Sequence, residues 1–194
     1  TITTGEGGMV CFKKKKYYEI AKKLRDHGMS TKKKYRHDHV GFNYRMTNMQ
    51  AAVGLAQMER LKFFIKQKKK IAKKYRFYLT KNKQIFFSKN FLNTKSSYWL
   101  YYIKLKEKIS FARDKIIDHL LKNGIEARNG FYPAHLMDPY KKFSSKKNNL
   151  DNSIKLSKSI IALPSSVNLE DKEIKDICEN LNIALKKFDN DKRL

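Results

Sequence analysis

A capping box followed by a long amphipathic stretch is the sequence feature that most restricts the fold of this chain. Thr47 and Gln50 have the Ser/Thr-x-x-Glu/Gln spacing in which each side chain hydrogen-bonds the other residue's backbone N–H. Apolar residues then recur at helical spacing: Val53, Ala56, Leu61, Phe64, Ile65, Ile71, Ala72, Tyr75 and Leu79. The pattern predicts one helix over residues 47–80. Because that is long for a single globular domain, we expect the helix to link two parts of the molecule.

Residues 82–194 have patterns typical of a small α+β domain. Aromatic and β-branched runs predict three strands, over residues 85–88, 98–105 and 125–128. Helical spacing predicts three helices, the first capped by Ser110, over residues 110–122, 154–161 and 169–188. Trp99 alternates with tyrosines in the second strand, which predicts that its ring packs in the core. The polar stretch 144–151 and the tail 189–194 are predicted to be mobile.

The N-terminal segment contains β-forming residues interrupted by glycines. Residues 1–10 are predicted to form a strand, a turn at Gly5-Glu6-Gly7-Gly8 and a second strand, because glycine accommodates positive φ. A helix is predicted over residues 14–27, with Gly28 as its terminating glycine. These elements need a sheet to pack on, and residues 1–81 do not supply one. We therefore predict that residues 1–81 are the end of a larger domain, and that the chain folds poorly alone because residues 1–43 lack their sheet.

The chain is strongly basic, with 44 Lys and Arg against 18 Asp and Glu and a formal net charge of +26. A charge of this size attracts polyanions, so a nucleic-acid-binding module is one interpretation. However, the basic residues are spread over the whole chain, and no zinc-finger or RNP-type motif accompanies them. We therefore expect solvated basic surfaces and no nucleic-acid partner.

The cysteine, histidine and apolar patterns favour a cytoplasmic protein without a metal. Cys11 and Cys178 form neither a disulfide framework nor a Cys-x-x-Cys motif. His37 and His39 flank Asp38, but no further ligand completes a metal site, so we expect none. No run of about 18 apolar residues is present, so we expect no membrane partner.

Three strings of residues, in matching order and spacing along the chain, resemble one enzyme family. The first is TITTGEGG at residues 1–8. The second is GFNYRMTN at residues 41–48, followed by QAA at 50–52 and GLAQ at 54–57. The third is GIEAR at residues 124–128, followed by FYPAHL at 131–136. These strings resemble the DegT/DnrJ/EryC1/StrS sugar aminotransferases, which are fold-type-I enzymes dependent on pyridoxal 5′-phosphate (PLP).

The resemblance implies an α/β fold, namely the C-terminal portion of a fold-type-I PLP-dependent transferase. Residues 1–81 would be the remnant of the PLP-binding large domain with a long linking helix, and residues 82–194 the small α+β domain. The implied reaction moves an amino group from glutamate to a 4-keto-6-deoxy sugar nucleotide, for amino sugars of O-antigen-type polysaccharides. The Schiff-base lysine is expected immediately before Thr1. No catalytic residue is therefore expected within these 194 residues, which we predict to be inactive alone.

The resemblance also assigns site residues. Asn43 is expected to bind the PLP phosphate of a neighbouring subunit, in a homodimer with shared active sites. An amide N–H is a suitable donor to a phosphate oxygen, although an exposed loop asparagine also forms Asx turns. Substrate binding is expected from residues that can contact phosphate, carboxylate or sugar groups: Arg45, Arg128, Tyr132 and His135. The alternative interpretation is an ion pair for Arg45 and aromatic packing for the loop around Tyr132.

Two alternatives remain at the level of sequence. Some proteins of the same fold use PLP for sugar dehydration and have histidine in place of the lysine, and the deciding position precedes Thr1. A non-catalytic nucleic-acid-binding module is the other alternative, and it predicts affinity that falls steeply with salt.

Overall fold

The chain divides into two compact units, which are described separately. The structure is a computed structural model, and it describes residues 1–89, 91–143 and 150–190. The first unit is Thr1–Lys62 and the second is Phe63–Leu194. The division falls inside the predicted linking helix, whereas the predicted domain boundary lies at residue 81. Most of the two stretches predicted to be mobile, 144–151 and 189–194, lies outside the described residues, namely 144–149 and 191–194, whereas residues 151 and 189–190 belong to helices.

The first unit contains two helices, α1 (Lys15–Arg25) and α2 (Asn48–Glu59). The predicted strand–turn–strand over residues 1–10 is wrong, since these residues are described and contain no strand. A strand needs a partner for its backbone groups, and this segment instead makes local bonds: Gly5 N–H donates to Thr3 Oγ1 at 3.1 Å. The glycine prediction is confirmed, because Gly5 and Gly7 have φ of +78° and +145°.

No large apolar side chain of the first unit is buried. Neither α1 nor α2 has a buried residue. Large apolar side chains lie in solvent, with 86% of Met9, 91% of Val40 and 81% of Met49 exposed. Backbone hydrogen bonds and turns hold this unit together without a hydrophobic core, which agrees with the expectation that it needs a further surface for packing.

The capping box is confirmed and the single long helix is not. Thr47 accepts the backbone N–H of Gln50 at 3.2 Å, and Gln50 Oε1 accepts the backbone N–H of Thr47 at 2.9 Å. However, α2 ends at Glu59 and α3 spans Leu61–Leu79, with Arg60 between them at φ −96° and ψ 2°. No glycine or proline marks this break in the sequence. It coincides with a change in environment, because burial begins on α3.

The second unit contains a four-stranded antiparallel sheet of order β1-β2-β4-β3. The strands are β1 (Ile85–Phe87), β2 (Tyr101–Leu105), β3 (Arg128–Asn129) and β4 (Ile160–Leu163). The prediction of a helix through residue 161 is wrong, because α6 (Asp151–Ser159) ends where β4 begins. The run Ile-Ile-Ala-Leu is too short for periodicity to distinguish a buried strand from a helix.

Helices cover one face of this sheet and form the core. They include α4 (Glu107–Ser110), α5 (Arg113–Lys122) and α7 (Asp171–Asn190), besides α3. Ser110 is the last residue of α4, so the prediction that it caps the next helix is wrong; Ala112 is the N-cap of α5. The largest fully buried side chains are shared among α3, the sheet, α4, α5 and α7: Tyr75, Leu79, Ile103, Leu105, Ile109, Ile116, Leu120, Ile161, Ile174, Cys178, Leu181 and Leu185.

Among the described residues, the helices are all too short or too polar to cross a membrane.

Candidate active site

Two glycines, Gly28 and Gly41, let the segment that leads into Asn43 pass close to the backbone just beyond α1. A Cβ atom on Gly41 would lie 2.0 Å from the backbone nitrogen of Gly28, and one on Gly28 would lie 2.0 Å from the carbonyl oxygen of His39. Gly28 has φ of +68°, but α1 ends at Arg25 with Asp26 as its C-cap, so the predicted helix end at residue 27 is wrong by two residues, and His27, with φ of +59°, takes the position predicted for the terminating glycine. The close approach of two backbones explains Gly41, whose role the sequence alone did not indicate.

Backbone hydrogen bonds also join the segment around Asn43 to the end of α1. Phe42 N–H donates to Leu24 O at 2.7 Å and its carbonyl accepts from His27 N–H at 2.9 Å. Tyr44 N–H donates to Arg25 O at 2.9 Å. The residues before and after Asn43 are therefore anchored, and Asn43 itself forms a bridge with Asp26. A side chain on such a segment is well positioned for binding.

Asn43 and Arg45 are both exposed, and they differ in their partners. Arg45 Nη1 lies 3.6 Å from Asp26 Oδ1, which favours the ion-pair interpretation of this arginine in the chain as described. No hydrogen bond within the described residues engages the Asn43 carboxamide, which leaves its two N–H donors for a ligand. An exposed amide on an anchored, glycine-dependent turn fits the phosphate of PLP.

The remaining predicted site residues lie in the second unit, on one loop and the strand before it. Arg128 is in β3, Tyr132 follows it, and His135 lies in a 3₁₀ turn at Ala134–Leu136. Arg128 is 71% exposed and forms a salt bridge with Glu126, whose hydrogen bond and charge raise the pKa of the arginine. A surface pair of this kind contributes little to stability, so Arg128 can exchange Glu126 for an anionic ligand at little cost.

Gly130 sets the position of this loop. A Cβ atom at residue 130 would lie 2.2 Å from Cδ1 and 2.3 Å from Cγ1 of Ile160. Because Ile160 is β-branched and belongs to β4, it cannot move aside freely. Sequence analysis did not single out Gly130, because only the three-dimensional contact reveals its role.

A groove lies beside this loop, on the sheet face opposite the core. It has a volume of about 320 Å³, and its walls are formed by Tyr102, Phe131, Tyr132, Pro133, Ala134, Ser153, Leu156, Ser157 and Ile160. Arg128 pairs with Ala162, which pairs in turn with Tyr102, so the arginine lies in the same cross-strand row as a groove residue. Of the predicted site residues in this unit, Tyr132 lines the groove, whereas Arg128 and His135 do not; Arg128 is related to it through the cross-strand row of Tyr102.

Trp99 contradicts the prediction that it packs in the core. β2 begins at Tyr101, so the alternation used for the prediction does not extend to Trp99, which is 56% exposed. Tyr98 has φ of +51°, a left-handed conformation that is a genuine outlier for an aromatic residue, and it packs partly against the core. Tyr101 does occupy the core, at 3% exposure.

Among the described residues, the histidines near Asn43 do not form a metal centre. Nδ1 of His37 lies 2.8 Å from the carbonyl oxygen of His27, which gives that ring a structural contact. In the part of the chain that the structure describes, no three His, Cys, Asp or Glu side chains converge in a way that could hold an ion.

Comparisons with known proteins agree over most of the chain. A profile of the DegT/DnrJ/EryC1/StrS aminotransferase family matches residues 1–182. The chain is 40% identical over 182 residues to the GDP-perosamine synthase of Vibrio cholerae, covering 92% of this chain and 48% of that protein. PseC of Helicobacter pylori, an aminotransferase involved in the biosynthesis of pseudoaminic acid, matches with a TM-score of 0.80 at 24% identity, covering 90% of this chain and 47% of PseC. Spr1654 of Streptococcus pneumoniae, in a form with pyridoxamine phosphate (PMP), matches with a TM-score of 0.81 at 23% identity, covering 94% and 46%.

The fold is that of part of a fold-type-I aminotransferase, as these structural matches show. The chain belongs to the DegT/DnrJ/EryC1/StrS aminotransferase family. Besides the Vibrio cholerae protein, the GDP-perosamine synthase of Escherichia coli O157:H7 is 35% identical over 182 residues, covering 94% of this chain and 48% of that protein. The chain spans about half the length of the curated relatives that it matches.

Proposed function

We propose that this chain forms the C-terminal part of a PLP-dependent aminotransferase that acts on a nucleotide sugar. Glutamate would donate the amino group and a 4-keto-6-deoxy sugar nucleotide would accept it, in an enzyme that works as a cytoplasmic homodimer. When bound, PLP supplies the electron sink that lets an amino group leave one substrate and join another. The family resemblance assigns the covalent anchor of PLP to a lysine at the position before Thr1.

Each site residue has a proposed role that follows from its chemistry. Asn43 donates an amide N–H to a phosphate oxygen of the cofactor bound by the neighbouring subunit. Arg45 and Arg128 bind substrate anions, and each exchanges a surface carboxylate partner to do so. Tyr132 and His135 donate hydrogen bonds to hydroxyl or phosphate oxygens of the nucleotide sugar.

The single observation that carries this proposal is the anchored turn around Asn43. Its glycines have space for no side chain, its backbone is bonded on both sides of Asn43, and the carboxamide is exposed. If this turn served stability alone, it would not require the Asn43 carboxamide, which makes no hydrogen bond to the described residues. A phosphate ligand accounts for this arrangement, and the 40% identity to a GDP-perosamine synthase supports the substrate class.

A chimeric enzyme tests the proposal. The N-terminal part of the Vibrio cholerae GDP-perosamine synthase, ending at the position aligned before Thr1, is joined to this chain at Thr1. The chimera is given PLP, ¹⁵N-glutamate and a GDP-linked 4-keto-6-deoxy sugar. We expect ¹⁵N in the amino sugar nucleotide by mass spectrometry. The intact Vibrio enzyme is the positive control, and the chimera with alanine at the junction lysine is the negative control.

Two results would contradict the proposal. A folded chimera that binds PLP and transfers no ¹⁵N would show that this chain does not supply the substrate site. The dehydratase alternative is tested separately by the residue that precedes Thr1 in the natural protein, since a histidine there in place of lysine would support dehydration and contradict amino transfer.

A further inference from the structure

Trp99 and Phe131 form an exposed aromatic surface next to the groove of the second unit. Their ring centroids lie 6.4 Å apart and their planes differ by 19°, while 56% of Trp99 and 69% of Phe131 remain exposed. Phe131 also lines the groove together with Tyr102 and Tyr132. Apolar rings of this size are normally buried, so their exposure in a nearly parallel arrangement points to a flat ligand.

Two side chains, those of Lys68 and Ser165, hold the backbone carbonyl of Trp99. Its carbonyl oxygen accepts Lys68 Nζ at 3.1 Å and Ser165 Oγ at 3.3 Å. Lys68 Nζ also donates to the carbonyl of Ser165, which ties α3 to the end of β4 at this position. The left-handed conformation of Tyr98 then turns Trp99 away from the core. Strained conformations of this kind persist where surrounding contacts impose them, and they cluster at binding sites.

We propose that this aromatic surface and the adjoining groove bind the base of a nucleoside diphosphate, the carrier part of the nucleotide sugar. This inference rests on the proposed function, because that function supplies the ligand class. A nucleobase is flat and apolar on its faces and polar at its edges. The faces would stack on Trp99 and Phe131, and hydroxyls of the groove at Tyr102, Tyr132 and Ser153 would meet the edges.

Charge complementarity supports a nucleotide over an apolar segment of protein. Arg128 lies in the cross-strand row that includes Tyr102. Its salt bridge with Glu126 is exposed to solvent and therefore weak. The guanidinium can therefore turn to a diphosphate attached to a base in the groove. An apolar segment or a second copy of this chain would bury Arg128 beside the aromatic rings without supplying an anion.

Trp99 is the only tryptophan of the chain, so its fluorescence reports directly on this surface. The 194-residue chain is titrated with GDP, with UDP as the smaller base, and with ribose 5-phosphate plus pyrophosphate as the control without a base. We expect saturable quenching by GDP, weaker quenching by UDP and none by the control. Equilibrium dialysis measures GDP binding independently of fluorescence.

Matched variants locate the binding site. Phe131→Ala should weaken GDP binding about tenfold, whereas Phe131→Tyr should retain it, since stacking depends on the aromatic face. Phe77→Ala is the control, because Phe77 is also exposed in the second unit, at 72%, but does not line the groove. It should bind GDP as the parent chain does.

Several outcomes would overturn the inference. It fails if GDP changes Trp99 emission no more than the control without a base does, or if Phe77→Ala weakens binding as much as Phe131→Ala. Emission that depends on protein concentration without nucleotide would assign the surface to a second copy of the chain. The two proposals fail independently. If GDP does not bind this surface but the chimera still transfers ¹⁵N, the proposed function stands and only the base site is refuted. If the chimera transfers no ¹⁵N, that loss does not by itself explain an absence of GDP quenching.

Discussion

Replacement of Lys68 by methionine tests whether a half-buried ammonium anchors the Trp99 surface. Met keeps the hydrocarbon stem of the side chain and removes the charged donor. Lys68 Nζ donates to the carbonyls of Trp99 and Ser165 and lies 3.4 Å from Ser165 Oγ. Hydrogen bonds to a charged group contribute about 1.5–3 kcal/mol. Burial lowers the pKa of Lys68, which means that its charge is held at a desolvation cost that Met avoids.

We therefore expect Lys68→Met to lower the free energy of unfolding of the second unit by about 2 kcal/mol, the lower half of the range above. With a urea dependence of about 2 kcal/mol per molar, the midpoint should fall by about 1 M. Trp99 emission measures the transition, because Trp99 lies in the second unit. Emission of the native variant should also change, since the Trp99 carbonyl loses a donor.

Lys73→Met is the matched control on the same helix. It makes the same change of charge and volume at an exposed position of α3. Its midpoint and native emission should stay close to those of the parent chain. Equal urea midpoints for Lys68→Met and Lys73→Met would refute the view that Lys68 anchors Trp99.

Three further residues and the two thiols give specific expectations. Tyr75→Phe should destabilise by about 1 kcal/mol, since its hydroxyl donates to a backbone carbonyl at 2.8 Å. Tyr101→Phe should be neutral or stabilising, since its buried hydroxyl has no hydrogen-bond partner among the residues that the structure describes; urea unfolding of both variants checks this. Gly130→Ala should destabilise by about 1–3 kcal/mol through overpacking and weaken GDP quenching, and an unchanged melting temperature would contradict the contact assigned to it. Burial raises the pKa of the Cys178 thiol to about 12, so a thiol reagent at neutral pH should modify the exposed Cys11 alone and reach Cys178 only in denaturant; two fast-reacting thiols in the native chain would contradict this.

Local chemistry was predictable from the sequence where a few neighbouring residues decide the conformation. The capping box at Thr47 and the left-handed glycine at residue 28 are examples, because each depends on hydrogen bonds within one turn. The family motifs likewise identified the fold, since they reflect a whole domain.

Features that depend on distant contacts were not predictable. Ile160 begins a strand rather than ending a helix because β2 and β3 lie on either side of it, and an apolar run of four residues does not report its neighbours. Trp99 is exposed because the conformation of Tyr98 breaks the strand alternation. Gly41 and Gly130 matter through backbone and side-chain contacts far along the chain. For the candidate site, sequence therefore named Asn43, Arg128 and Tyr132 but missed what positions them.

The role of Asn43 across a subunit interface is tested most directly by mixing two defective chimeras. One has Asn43→Ala and the intact junction lysine, and the other has Asn43 and alanine in place of that lysine. Asn43→Ala alone should weaken PLP binding about tenfold or more, from the loss of a hydrogen bond to a charged group. Asn152→Ala, an exposed amide of α6, should bind PLP normally. If Asn43 serves the neighbouring subunit, dissociation and reassociation of the mixture should restore tight PLP binding and ¹⁵N transfer in the mixed dimers. A mixture that performs no better than its two parents would contradict the assignment.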